Sequence, residues 1–375
     1  MLNRDALERY SRHILLPEIG RAGQERLVSA RVLIVGAGGL GSPAALYLAA
    51  AGVGFIAIAD DDTVADSNLQ RQILFDTDGL GDSKSGRAAE RLRALNPYIT
   101  VTAIRERITS ANALDLLDGV DLVLDGSDNF PTRYLLNDAC VPQQKPLIHG
   151  SVYRFEGQVS RFHAPHGPCY RCLYPEPPPP EMVPGCGEGG VLGVLTGIVG
   201  SLQALEAIKA LLGIGDPLLG RLVMIDGLGG TQREIAFGRN PDCPVCGEHP
   251  TLRTLIDYEA FCGVALPDDV PALEAEALRD ELRGEVPPLL VDVREPGEHE
   301  LCRLPGEQVL IPLRELTRRM EELDGERPLV VYCRTGVRSA RAVAMLRQAG
   351  RTEVLNLAGG IMAWADRIDP SLPRY

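Results

Sequence analysis

Cysteine carries much of the chemistry open to this chain, and its nine cysteines stand in distinct settings. Two C-x-x-C pairs, Cys169 with Cys172 and Cys243 with Cys246, lie roughly 70 residues apart and supply four thiolates, the donor set of a closed tetrahedral Zn²⁺ site. Such a metal has no open coordination position and would be structural; reduced, metal-free knuckles or a redox pair are the alternatives. Cys186 stands alone, after YPEPPPPEMVPG and before glycines. Proline excludes regular helix and central strand there, so an exposed loop with an accessible thiol is expected. The plainer reading is a tolerated surface cysteine. Cys333 follows the apolar run PLVVY and precedes RTGVRSARA, which reads as strand, tight polar loop and helix. Successive loop N–H groups and a helix N-terminus favour a thiolate or persulfide, and Arg334 and Arg338 add positive charge. Cys140, Cys262 and Cys302 have no such setting and are expected to be structural.

A second set surrounds a glycine loop. Gly36, Gly38 and Gly41 form G-x-G-x-x-G, with Gly39 inside it, between RVLIV and the helical SPAALYLAA. Glycines there let backbone N–H groups approach phosphate at a helix N-terminus. Asp60 ends the next apolar run, nineteen residues beyond Gly41, where a carboxylate can accept from ribose hydroxyls. Taken alone the loop suits NAD, or a packing turn with no ligand at all. SNLQRQ then brings Asn68, Arg71 and Gln72, and GDSK brings Lys84. Two cations near a nucleotide suit a triphosphate, whose charge must be balanced during nucleotidyl chemistry. Asp128, in the DGSDN closing another apolar run, would hold Mg²⁺. Singly, each of these charges reads as a solvated surface residue.

These side chains need elements to position them. Residues 30–62 read strand, glycine turn, helix, strand, and VDLVLDGSDN and KPLIHGSV add buried strands. The expected fold class is α/β, a doubly wound Rossmann-like sheet. LIDYEAFCGVALPDDVP has no clear period, so 251–270 is read as a linker between a domain over 1–250 and another over 271–375. In the second, ALEAEALRDEL is helical, PPLLVDVREP is a strand, and RPLVVYCRTGVRSARAVAMLRQAG is strand, loop and helix, enough for one small α/β domain. A net charge of −13 argues against general nucleic-acid or anionic-membrane binding. The N-terminus lacks a signal peptide's apolar core, and VLGVLTGIVGSLQAL falls short of the roughly 18–20 residues that span a bilayer. A buried helix and a cytoplasmic protein are expected.

RYSRHILLPEIG, VLIVGAGGLGS, ADDDTVADSNLQRQ, GDSK, LVLDGSDN, CYRC, GSLQALEAIK and CPVC occur in this order within residues 1–250. That stretch resembles the bacterial molybdopterin-synthase and thiamine-sulfur-carrier adenylyltransferases, relatives of ubiquitin-activating enzymes. The resemblance implies that Asp60, Asn68, Arg71, Lys84 and Asp128 bind ATP·Mg²⁺, with Arg12 reaching the nucleotide of the other subunit in a homodimer. It implies a partner as well: a ubiquitin-like sulfur carrier ending in Gly-Gly, whose terminal carboxylate attacks the α-phosphate to give an acyl adenylate and pyrophosphate. Structural zinc on the four paired cysteines, and a mobile-loop Cys186 forming thioester or acyl-disulfide linkages, are implied too.

DVREPGEHE, the CRTGVR loop and LAGGIMAW resemble a single rhodanese domain over residues 271–375, although HELCRLPGEQVL departs from the usual wording. Cys333 to Arg338 gives the six-residue loop of sulfurtransferases; the related phosphatases carry arginine one position later, where this chain has Ser339. Together the two halves imply carrier activation, then sulfur delivery from a Cys333 persulfide charged by thiosulfate or a protein persulfide. The product would be a thiocarboxylate serving molybdopterin, thiamine, tRNA thiolation or cysteine formation. An NAD-dependent oxidoreductase and a non-catalytic carrier-binding module are the rival expectations.

Overall fold

The computed structural model describes residues 2–178, 190–263, 270–323 and 327–375, and Cys186 lies outside them. The chain divides into two compact units, the first reaching Cys262 and the second running on to Tyr375.

Among the described residues, the first unit is built on an eight-stranded sheet ordered β3-β2-β1-β4-β5-β6-β7-β8. The strands are β1 (Arg31–Val35), β2 (Phe55–Ala59), β3 (Thr100–Ile104), β4 (Leu122–Asp125), β5 (Leu147–Tyr153), β6 (Glu156–Phe162), β7 (Arg221–Asp226) and β8 (Thr231–Ala236). From β3 to β5 every pairing is parallel. Strands such as VLIV and FIAIA are apolar throughout because helices cover both faces of a parallel sheet. Val32, Leu33, Ile34, Ile56 and Ile58 are fully buried, and each such side chain contributes about 1.5–3 kcal/mol relative to exposure. The other half departs from a purely parallel sheet. β5, β6, β7 and β8 pair antiparallel in succession; short turns join β5 to β6 and β7 to β8, whereas helix Gly193–Leu212 lies in the chain between β6 and β7.

Helix Gly193–Leu212 packs against the alanine-rich helix Gly41–Ala51 and against β5 and β6. By length and composition it could cross a membrane; instead Leu195, Val199, Ala204, Ala207 and Leu212 are buried within the unit. Residues expected to begin a linker are packed structure: helix Tyr258–Phe261 lies on helix Phe130–Cys140, and Tyr258 is buried. An aromatic anchor with a buried hydrogen-bond partner holds them there.

The second unit has a five-stranded parallel sheet among the described residues, ordered β11-β10-β12-β13-β9. Its strands are β9 (Ala272–Leu273), β10 (Leu289–Asp292), β11 (Gln308–Leu310), β12 (Leu329–Tyr332) and β13 (Val354–Leu357). Neighbouring residues serve opposite faces, as a strand's period of two requires. Val291 and Val331 pack with Leu346, whereas Leu290, Val330 and Tyr332 pack with Trp364.

Candidate functional site

Crossovers from β1 and β4 run in opposite directions, which opens a crevice at their carboxyl ends, the switch point where α/β sheets take ligands. Gly36, Gly38, Gly39, Asp60, Arg71, Gln72, Lys84 and Asp128 all line it. Gly36 has φ +90°, and a Cβ there would meet the Gly126 carbonyl at 2.7 Å; one on Gly41 would meet the Gly36 carbonyl at 1.8 Å. Those two glycines close the turn. At Gly38 the nearest atom a Cβ would meet is Gln72 Nε2, at 3.7 Å, so this stretch of backbone is open to a ligand. Gln72 Oε1 is buried with no hydrogen-bond partner, an acceptor that a ligand would satisfy.

Asp60 pins the loop to the end of β2. Its Oδ2 accepts from the Ala37 N–H at 2.7 Å and its Oδ1 from the Asp62 N–H at 2.9 Å. Burial raises its carboxyl above the usual range, opposed in part by the Ala37 bond and the Lys84 charge. Lys84, buried at the start of helix Lys84–Leu95, donates to Asp62 Oδ2 at 2.9 Å. Asp62 is exposed, and an ammonium held by one carboxylate keeps two donors for phosphate. At the end of β4, Asp125 Oδ1 accepts from the N–H and hydroxyl of Ser127 at 3.0 and 2.6 Å, shaping the turn that presents Asp128. Asp125 Oδ2 faces His149 Nδ1 at 3.0 Å. Burial pushes His149 below its usual value against the pull of Asp125, so a neutral ring donating Nδ1–H to the carboxylate is the consistent assignment. Burial alone would raise Asp125, but the His149 bond, nearby charge and Ser127 outweigh it and hold its carboxyl below the usual range.

The two C-x-x-C pairs converge. All four Sγ atoms lie within 4.8 Å of one another, with Cys169–Cys243 at 3.6 Å, Cys172–Cys246 at 3.4 Å and Cys169–Cys172 at 4.0 Å. Four thiolates about 2.3 Å from one ion stand about 3.8 Å apart in a tetrahedron, so the donors fit a closed metal site. Between the first two cysteines, buried Arg171 binds Asp138 at 2.9 and 2.8 Å, and the Tyr258 hydroxyl donates to the same carboxylate at 2.9 Å. The rings of Tyr134 and Phe261 flank the guanidinium at 4.7 and 4.5 Å. One carboxylate thus ties the knuckle, helix Phe130–Cys140 and helix Tyr258–Phe261 together.

In the second unit, β12 delivers Cys333 to a tight loop that ends in helix Val337–Gln348. Cys333 Sγ accepts from the Gly336 N–H at 3.1 Å and the Ser339 hydroxyl at 3.4 Å. LAGGIMAW runs beneath it, with the Ile361 and Met362 N–H groups donating to the Cys333 and Arg334 carbonyls at 2.9 and 3.1 Å. Gly360 has φ +60°, and a Cβ there would strike the Cys333 carbonyl at 2.4 Å. Arg338, expected to add positive charge beside Cys333, is already paired. It is buried in the first helical turn and donates twice to the Glu298 carboxylate, both at 2.7 Å, because a guanidinium withdrawn from water must be paired.

Residues 10–245 match the ThiF family, and residues 274–367 match the rhodanese-like domain. The chain belongs to the ThiF family. Over its full length it is 47% identical to the probable adenylyltransferase/sulfurtransferase MoeZ of Mycobacterium tuberculosis, of which the match covers 96%. It is 46% identical to the adenylyltransferase and sulfurtransferase MOCS3 of Anopheles gambiae, with 90% of that protein covered. The fold is shared with Escherichia coli MccB crystallised with ATP, at 25% identity and a TM-score of 0.55 over 64% of this chain and 73% of that one. This ThiF protein is an adenylyltransferase and a sulfurtransferase, which sets aside both the oxidoreductase and the non-catalytic module.

Not every expected residue of the ThiF unit meets the crevice. Asn68 serves through its carbonyl, which accepts from the Arg71 and Gln72 N–H groups at 3.1 and 2.9 Å; its side chain is not among the lining groups. Arg12 is exposed on helix Ser11–Ile14, away from the crevice of its own chain. Asp62, Ser127, Arg133 and Thr196 line the crevice without having been singled out. Asp62 was legible as part of the DDD run after β2. Thr196 was not, since its helix begins far along the chain.

Proposed function

We propose that this protein uses ATP·Mg²⁺ to adenylate the C-terminal glycine of a ubiquitin-like sulfur carrier ending in Gly-Gly, then converts it to a thiocarboxylate with sulfur carried on Cys333. One observation carries the first step: an open glycine backbone, the cations Arg71 and Lys84 and an unburied carboxylate, Asp128, line a single crevice. The carrier carboxylate attacks the α-phosphorus, the bond to the bridging oxygen breaks, and pyrophosphate leaves with the electron pair. Arg71 and Lys84 balance charge as it develops on the phosphates. Mg²⁺ held by Asp128 would neutralise the same oxygens. The Asp125–His149 pair keeps the Asp128 turn in place.

In the second step the Cys333 thiolate attacks the outer sulfur of thiosulfate. A new S–S bond forms, the old one breaks, and sulfite departs with the pair, leaving a persulfide. Gly336 N–H and the Ser339 hydroxyl, both already on Sγ, stabilise negative charge there. The outer sulfur of the persulfide would attack the acyl-adenylate carbonyl, AMP departing with the electron pair, to give an acyl disulfide on Cys333. The Cys186 thiolate would then attack the Cys333 sulfur, releasing the thiocarboxylate and leaving a disulfide that an external thiol reductant reopens, or would first capture the acyl group as a thioester with loss of AMP. Zn²⁺ on Cys169, Cys172, Cys243 and Cys246 would be structural. The protein would work as a homodimer, each Arg12 serving the partner's nucleotide.

ATP–pyrophosphate exchange with purified carriers ending in Gly-Gly tests the first step, and mass spectrometry of the carrier after addition of thiosulfate tests the second. Carrier-dependent exchange followed by thiocarboxylate is expected. No exchange with any molybdopterin, thiamine, tRNA-thiolation or cysteine-pathway carrier would overturn the proposal.

A further inference from the structure

Behind the Cys333 loop lies a chain of polar contacts that neither the fold nor the persulfide chemistry by itself requires. Arg294, fully buried, binds the Asp292 carboxylate through Nε at 2.9 Å and Nη2 at 2.7 Å, and donates to the Cys302 carbonyl at 2.7 Å and the Glu298 carbonyl at 3.2 Å. Its last donor goes to the Tyr375 hydroxyl at 2.5 Å. That hydroxyl donates in turn to Glu298 Oε1 at 3.3 Å, and Glu298 is the carboxylate that clamps Arg338. On its other side the Tyr375 ring lies against Arg334, whose guanidinium carbon is 5.3 Å from the ring centroid. Tyr375 therefore touches, directly or through one carboxylate, both arginines of the sulfur-bearing loop.

The two arginines end in different states. Arg338 is neutralised by Glu298. Arg334 has no carboxylate partner among the described residues, and its Nε is buried with no hydrogen-bond partner. A guanidinium that is partly buried, has no carboxylate partner among the described residues and belongs to the residue next to the nucleophilic cysteine is suited to an anionic group of the incoming donor. Arginine is long and would sample many rotamers; an aromatic face beneath it restricts that freedom through cation–π attraction.

We propose that Tyr375 is a positioning residue for sulfur loading: it holds Arg334 toward the approach to Cys333 and thereby selects small anionic sulfur donors, of which thiosulfate is the probe. The proposal rests on the reading of Cys333 as the sulfur carrier. It adds the residue that orients the cation toward the anionic donor already named. The leaving group of such a donor departs as an anion, so the guanidinium assists both arrival and departure.

The test uses the full-length protein and needs neither ATP nor a carrier. Thiosulfate:cyanide sulfur transfer gives KM and kcat, and peptide mass spectrometry gives the rates at which anionic iodoacetate and neutral iodoacetamide alkylate Cys333. Tyr375→Met keeps apolar volume beside Leu372 and Trp364 without an aromatic face. It should raise KM for thiosulfate roughly 3- to 10-fold and lower the iodoacetate-to-iodoacetamide ratio by a similar factor, leaving the iodoacetamide rate near wild type. Arg334→Gln should give the same lowered ratio. Tyr375→Phe, which retains the ring, should restore KM to within about twofold. Equal slowing of both reagents in Tyr375→Met would show a purely structural role and overturn the proposal, as would wild-type KM with an unchanged ratio. Tyr375→Leu provides the same comparison should the methionine variant fail to fold. Cys333→Ala separates the two layers: retained sulfur transfer there would defeat the Cys333 reading itself, whereas loss there with an indifferent Tyr375 would defeat only this inference.

Discussion

Lys84 meets Asp62 in the nucleotide crevice before it can meet phosphate, and that competition makes the site testable at single residues. Lys84→Ala, Arg71→Ala and Asp128→Asn should each lower carrier-dependent pyrophosphate exchange by about 10²–10³, the usual cost of removing a preorganised electrostatic contact. Asp62→Asn should do the opposite to binding: with the ammonium released, KM for ATP should fall, and a raised KM would show that Asp62 contributes to the site. The thiols should separate by step. Cys333→Ala is expected to keep full exchange and to lose sulfur transfer from thiosulfate. Cys186→Ala should also keep exchange, with a smaller loss of thiocarboxylate because added reductant can substitute. Carrier mass after a single turnover reads both outcomes.

Among the elements, the cysteine knuckle and the β4–β5 pair make separate predictions. Metal analysis of fresh protein should find about one zinc per chain, lost in the Cys243→Ser/Cys246→Ser double variant, because structural zinc contributes folding free energy. Melting of the first unit should fall before adenylation chemistry does, and the Arg171–Asp138–Tyr258 tie should loosen with it. Full zinc in the double variant would refute the site. The buried Asp125–His149 pair sets a pH dependence. His149 is depressed in the folded state, so the unfolded chain takes up its proton first, below about pH 6.5. The stability it carries is complete above that value and is lost as pH falls through the range beneath it. Asp125, also depressed, adds a loss only below about pH 4. Urea midpoints for the first unit should therefore drop as pH is lowered from 6.5, and His149→Gln should flatten that slope.

For the whole molecule, the proposed homodimer predicts complementation. Arg12→Ala and Asp128→Asn chains, each inactive alone, should recover about one quarter of wild-type exchange when mixed and allowed to exchange subunits, since only mixed dimers regain a complete site. No recovery despite confirmed mixed dimers would show that Arg12 acts within its own chain. Val194, Ile198 and Leu205, on one face of helix Gly193–Leu212 at 65%, 44% and 55% exposure, are the apolar surface that the proposed dimer would cover. Val194→Lys and Ile198→Lys should yield monomers by ultracentrifugation.

The residues proposed to touch phosphate, metal and sulfur were legible in the sequence because each depends on a local pattern. A glycine turn after a buried strand, a C-x-x-C pair and a cysteine loop ahead of a helix are short-range devices whose geometry follows from a few consecutive residues. The parallel core was legible for the same reason, since strands covered on both faces must be apolar throughout. The antiparallel half was not, because β6 to β8 alternate weakly and β8 is exposed along its length. Tertiary structure alone decided how charges are used. Arg338 reads as a spare cation until Glu298, forty residues earlier, is folded against it, and Lys84 reads as free until Asp62 is placed beside it. Tyr375 reads as nothing at all until its ring is found under Arg334. Pairing of a buried charge is a long-range contact, and no local spacing encodes which partner will neutralise it.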